Sequence, residues 1–165
     1  MSRAFVKEND AEEVGSDLPE RPQSPHTNYV TPQGMEQLQA RVREFGAEWN
    51  ALAGKEDFTS QQQRKRIERE LLYYNERLRR AVLVSTSSQP DDRVHFGCVV
   101  EVEDPECQRL RFAIVGEDEA DATQGRISWV SPLARALLNA EVGDVVTWKR
   151  PVGDLDIEIV AIRKE

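Results

Sequence analysis

Apolar residues recur at alternating spacings of three and four over a long stretch of the chain. In a first run these are Met35, Leu38, Val42, Phe45, Trp49 and Leu52; in a second, Ile67, Leu71, Tyr74, Leu78 and Ala81. That alternation is a heptad seam, so the stretch Thr31 to Val84 is expected to form two helices folded back on each other. Thr31-Pro32 opens the first arm as N-cap and first helical residue. Gly54 suits the end of that arm, and Ser60 is expected to cap the second. An arm of some 22 residues spans roughly 33 Å. Gln61, Gln62, Gln63, Arg64 and Lys65 leave the start of the second arm almost without seam positions. The tip should therefore be the least stable end of the hairpin.

From Val94 the period switches to two. Val94, Phe96, Cys98, Val100 and Val102 predict a long strand, and Leu110, Phe112 and Ile114 a second. An acidic loop follows from Gly116 to Asp121, whose spacing does not match a calcium loop. Ile127 to Val130 reads as a third strand. Ser131-Pro132 then starts a helix made apolar by Leu133, Ala134, Ala136, Leu137 and Leu138. Val145 to Arg150 forms a fourth strand, and Leu155, Ile157, Ile159 and Ala161 mark the last. Five mainly antiparallel strands with one short helix make an α+β domain. The expected organisation is a tail over 1–29, a helical hairpin over 30–84, a linker over 85–93 and a sheet domain over 94–165.

Charge and composition narrow the function. The net charge of −8 argues against a general duplex-DNA binder. Residues 1–29 hold six acids, three basic residues and prolines at 19, 22 and 25, with little apolar content. They suit either a solvated leader or a docking arm anchored by Phe5-Val6 or Tyr29-Val30. No apolar run is long enough to span a membrane and no signal core is present, so the expected location is the cytoplasm. Two cysteines without CxxC spacing and two distant histidines argue against a zinc site or a histidine-based triad. Arg66, Arg69, Tyr73, Arg77 and Arg80 fall on one face of the second arm. That stripe is either a solvated face with pairs such as Glu76 and Arg80, or a contact to single-stranded RNA through phosphate and stacking.

The sheet domain also carries a resemblance. Phe96-Gly97, the run Arg111 to Asp121, Ile127-Ser128, Ser131-Pro132-Leu133-Ala134-Arg135-Ala136-Leu137-Leu138 and Val142-Gly143-Asp144 resemble the C-terminal domain of the bacterial Gre transcription elongation factors, GreA and GreB. Val30-Thr31-Pro32-Gln33-Gly34 is similar to the start of the Gre coiled coil, so the likeness covers about residues 29–162. The resemblance implies an FKBP-like C-terminal domain without isomerase activity, docked on the rim of the RNA polymerase secondary channel. Trp129, Val130, Ser131, Pro132, Leu133 and Arg135 would meet the polymerase. Arg66, Arg69, Tyr73 and Arg77 would meet nascent RNA or the channel wall. The factor would be a monomer and would bring no cofactor. Magnesium would be bound only at the polymerase active site, where two tip acids of a Gre factor help to hold the second ion for cleavage of backtracked RNA.

The tip departs from the Gre pattern. Adjacent acids, Glu56 and Asp57, stand where the family carries an Asp and a Glu three residues apart, and the hairpin reads as a few turns shorter. Several functions remain open at this level. One is a cleavage-stimulating factor using Glu56 and Asp57. Another is a non-cleaving occupant of the channel, as in Rnk-type proteins. The remaining two are an adaptor for a different partner and a prolyl isomerase, which would need an aromatic-lined pocket.

Overall fold

The computed structural model describes residues 18–165. The chain divides into two compact units. One holds the described residues up to Ser24 together with Gln39–Arg79; the other holds Pro25–Leu38 and Arg80–Glu165.

The first unit is the body of the hairpin. Helix α1 runs over Pro32–Ala51 and helix α2 over Phe58–Arg80. At 20 and 23 residues they are about 30 and 35 Å long. Phe45 stacks on Tyr74 at 5.8 Å between ring centroids, joining the two seams. Arg64 lies over the Trp49 ring at 4.2 Å, filling an aromatic contact from a non-seam position. Nearer the tip, an open groove of about 370 Å³ is lined by Glu48, Ala51, Leu52, Gln63, Arg66 and Ile67. It lies where the polar run Gln61–Lys65 interrupts the seam. Gly54 adopts a φ of +77° just beyond α1, a left-handed conformation suited to glycine.

The second unit is built on a mixed sheet of five strands: β3 (Cys98–Glu103), β4 (Arg109–Val115), β5 (Arg126–Ser128), β6 (Val145–Trp148) and β7 (Leu155–Lys164), in the order β5-β4-β3-β7-β6. The α+β expectation holds, with one difference in direction. β5 pairs with β4 in parallel, because 3-10 turns at Glu117–Glu119 and Ala122–Gln124 carry the chain back before β5 begins. β3 starts at Cys98 and not at Val94, because Gly97 has a φ of +85°. Helix α3 (Pro132–Leu137) covers one face. Val100, Val102, Ile114, Leu133, Ala134, Leu137, Ile157 and Ile159 form the core between them. The expected alternation of β7 breaks after Ile159. Val102 faces Ile159 while Glu101 faces Ala161, so the strand carries one extra residue. Ile162, and not Ala161, therefore packs on the core.

A second, two-stranded sheet was not legible in the periodicity. β1 (Tyr29–Val30) pairs in parallel with β2 (Val82–Leu83). The contact grouping therefore differs from the expected boundaries at 30 and 84: residues 25–38 and 80–84 belong with the sheet unit. Tyr29-Val30, offered as the anchor of a docking arm, is paired with this chain's own strand. Phe5-Val6 lies outside the described residues. No described helix is long and apolar enough to cross a membrane.

Cys98 is buried and burial pushes its thiol up, whereas Cys107 is exposed. Under native conditions a thiol-alkylating reagent is expected to modify Cys107 and leave Cys98 untouched, as read by peptide mass mapping. Two rapidly modified cysteines would contradict that arrangement.

Candidate functional site

At the tip, Asp57 and Glu56 have different roles. α2 begins at Phe58, so the N-cap is Asp57 and not Ser60. The Ser60 N–H donates to Asp57 Oδ2 at 3.0 Å, which is the bond from the third helical residue to the cap side chain. The Ser60 hydroxyl and then its N–H hold the Asp57 carboxyl below the usual carboxylate range. A carboxyl depressed on folding stabilises the hairpin above its unfolded titration range. That contribution is lost as pH falls through its folded value. Acidification is therefore expected to melt the start of α2 first. In Asp57→Asn, which keeps a capping oxygen, helix content by circular dichroism should lose that acid-dependent step. Glu56 is exposed, and its carbonyl accepts from the Gln61 side chain at 3.2 Å. Phe58, the first residue of α2, is 73% exposed.

The expected basic stripe is not a single open face. Arg66 is exposed and lines the groove between the arms. Arg77 is 1% exposed, a correction to its placement as a channel contact. Position 77 falls three residues after Tyr74 and four before Ala81, which puts it beside the seam. Arg69 donates through Nε to the Pro19 carbonyl at 2.6 Å. Tyr73 lies under the Arg21 guanidinium at 3.7 Å. Arg21 also pairs with Glu70 at 2.6 Å. Glu76 pairs with Arg79 at 2.5 Å. Residues 18–24, read as part of a solvated leader, thus contribute contacts along α2.

The docking candidates separate into outward and inward positions. Ser131 caps α3 by accepting from the Ala134 N–H at 3.2 Å, and Pro132 follows as first helical residue. Pro132 and Arg135 are exposed. Leu133 is 4% exposed and belongs to the core, so it is not part of a docking patch. Helical spacing explains the division: Leu133, Ala134 and Leu137 share the sheet-facing side. Val130 is half-buried. Trp129 is also half-buried, packed edge-on against Tyr29 at 5.1 Å and His26 at 5.9 Å. The exposed patch is therefore Pro132 and Arg135, bordered by Val130.

One organising residue was missed. Glu119, read only as part of an acidic loop, is 7% exposed. Its Oε2 accepts from the Thr31 and Gly116 N–H groups, each at 3.1 Å. The Thr31 hydroxyl donates to Oε1, and Arg126 pairs with the same oxygen at 3.4 Å. The carboxylate thereby sits at the first turn of α1, where the helix dipole favours negative charge. Thr31 remains the N-cap, accepting from the Gly34 N–H at 3.0 Å. A Cβ on Gly34 would lie 2.2 Å from Glu119 Cδ, and one on Gly116 would lie 2.4 Å from the Tyr29 carbonyl oxygen. Among the described residues no group of three or more acidic, histidine or cysteine side chains is placed to hold a metal ion. Two cavities of the sheet unit, of about 380 and 210 Å³, have no aromatic lining.

The family model for the transcription elongation factor GreA/GreB C-terminal domain matches residues 89–164. The GreA factor of Thioalkalivibrio sulfidiphilus is 48% identical over 79 residues, which are 47% of this chain. The chain spans 50% of that relative's length. The GreB factor of Neisseria meningitidis serogroup B is 32% identical over 151 residues, covering 82% of this chain and 93% of the relative. The crystal structure of GreA factor homolog 1 of Thermus thermophilus is 29% identical, with a TM-score of 0.39 over 84% of this chain and 99% of that one. With nearly the whole of a GreB factor matched from the hairpin through the sheet, the chain belongs to the GreA/GreB family of transcription elongation factors.

Proposed function

We propose that this protein regulates transcription elongation by docking on RNA polymerase in the cytoplasm and placing its hairpin in the secondary channel. It acts there by occupancy and does not strongly stimulate transcript cleavage. The family relationship supports the partner. The observation that carries the non-cleaving reading is the commitment of Asp57 to the N-cap of α2.

A working tip must bring carboxylate oxygens to roughly 2.1 Å from magnesium. Asp57 Oδ2 instead turns back over the first turn of its helix, held by Ser60. The exposed Glu56 side chain makes no such cap, and the first residue of the helix, Phe58, is exposed. One carboxylate and one aromatic ring suit obstruction or contact with the channel better than chelation. Docking and channel entry remain compatible with the exposed Pro132 and Arg135 and with helices of about 30 and 35 Å.

The direct test is a stalled elongation complex carrying backtracked, end-labelled RNA. Added alone, the protein is expected to leave the RNA length unchanged. In excess, it should slow shortening by a cleavage-competent Gre factor. Rapid shortening by this protein, lost in Asp57→Asn or Glu56→Gln, would make the adjacent acids a working pair and defeat the proposal. Asp57→Asn is the informative variant because it keeps the helix cap while removing the charge.

A further inference from the structure

Residues 18–24 lie along the same face of α2 that carries Arg69 and Tyr73. Arg21 is the centre of the contact, stacked over Tyr73 at 3.7 Å and paired with Glu70 at 2.6 Å. On either side, Pro19 accepts from Arg69 and the Gln23 side-chain amide donates to the Tyr73 carbonyl at 3.3 Å. Pro19, Pro22 and Pro25 are spaced by three. That spacing favours a polyproline helix with three residues per turn, a preformed shape that binds aromatic surfaces at low entropic cost. The segment's observed contacts run along the tyrosine-bearing face of α2.

What it covers has its own chemistry. An arginine and a tyrosine one helical turn apart, with Arg66 one turn further on, make a face for a phosphate backbone and a stacked base. Arg21 places a cation over the same ring that a base would stack on, and the Pro19 carbonyl takes the same guanidinium that a phosphate would bind. Residues 18–24 carry one acid, Glu20, and one base, Arg21, so the segment engages the basic face through specific contacts and not through net charge. We propose that residues 18–24 are an autoinhibitory strap that competes with single-stranded RNA for Arg69 and Tyr73. The strap's ion pair and cation–π contact are partly exposed and individually weak, so it can be displaced. A strap closed ten times more often than open lowers the apparent RNA affinity about tenfold.

The test uses the full chain and a fluorescently labelled single-stranded RNA oligonucleotide, read by anisotropy without polymerase. It therefore stands or falls separately from the polymerase-docking reading. Arg21→Ala removes a positive charge, so a purely electrostatic effect would weaken binding. Release of the strap predicts the opposite sign, a gain of about tenfold. Adding Arg69→Gln and Tyr73→Ala to Arg21→Ala should abolish that gain, with circular dichroism confirming that the helices remain. Equal or weaker binding by Arg21→Ala overturns the proposal, as does a gain that survives the two further substitutions. A lower melting temperature for Arg21→Ala without tighter RNA binding makes the segment a structural brace only, and also overturns it.

Discussion

Replacing Glu119 by alanine is expected to lower the stability of the sheet unit by about 3–5 kcal/mol, measured by urea unfolding. The carboxylate accepts from the Thr31 and Gly116 N–H groups and the Thr31 hydroxyl, and pairs with Arg126. Truncation would leave these donors in a space from which water is excluded, where each unsatisfied group costs about 1–3 kcal/mol. Arg126 keeps Glu165 at 2.8 Å, so its loss is partial. Glu119→Gln should fall between parent and Ala, since one amide oxygen can serve only part of the set. Gly34→Ala gives an independent check, because its Cβ would meet Glu119 Cδ at 2.2 Å. That clash should be costly in the parent and largely absent in Glu119→Ala, a non-additivity measurable in a double-mutant cycle. A loss below about 1 kcal/mol for Glu119→Ala would show that the site collapses or hydrates without consequence.

Pro132→Asp is expected to weaken binding to RNA polymerase by about 2 kcal/mol or more, roughly thirtyfold, while leaving the sheet unit folded. Pro132 is exposed at the first position of α3, and its side chain is not part of the core. An aspartate there keeps the Ser131 cap and is tolerated by the helix dipole. The loss would therefore report on the surface and not on folding. Leu133→Ala supplies the contrast. Leu133 is buried among the core residues, so its truncation should cost about 2–5 kcal/mol of stability. It should reduce polymerase binding only insofar as it unfolds the domain. Full binding by folded Pro132→Asp would move the docking surface elsewhere.

Several elements followed directly from local patterns. The alternating three-four spacing from Met35 to Leu52 and from Ile67 to Ala81 specified two paired helices, because helical neighbours are set by short sequence separations. The switch to period two near Val94 specified strands for the same reason. Thr31-Pro32 and Ser131-Pro132 marked helix starts correctly, since a cap and a preset φ act within one turn. The run Ser131 to Arg135 was legible as a motif, but its sorting into exposed Pro132 and buried Leu133 required the sheet beneath it.

Other features depended on partners far along the chain. Thr31 and Glu119 are separated by 88 residues, and Arg21 and Glu70 by 49. No periodicity encodes which buried amide meets which carboxylate across such distances. Glu119 was therefore legible only as one acid in an acidic loop, and residues 18–24 only as part of a leader. Ser60 was the expected cap; the observed start of α2 at Phe58 makes Asp57 the cap instead. The basic stripe was correct as spacing along α2 but divided in space, because Arg77 is buried beside the seam while Arg69 and Tyr73 meet residues 18–24. The sequence by itself determined the periods, the turns and hence the kinds of element. Only the tertiary structure decided which polar groups were removed from water, because burial depends on elements that meet from distant parts of the chain.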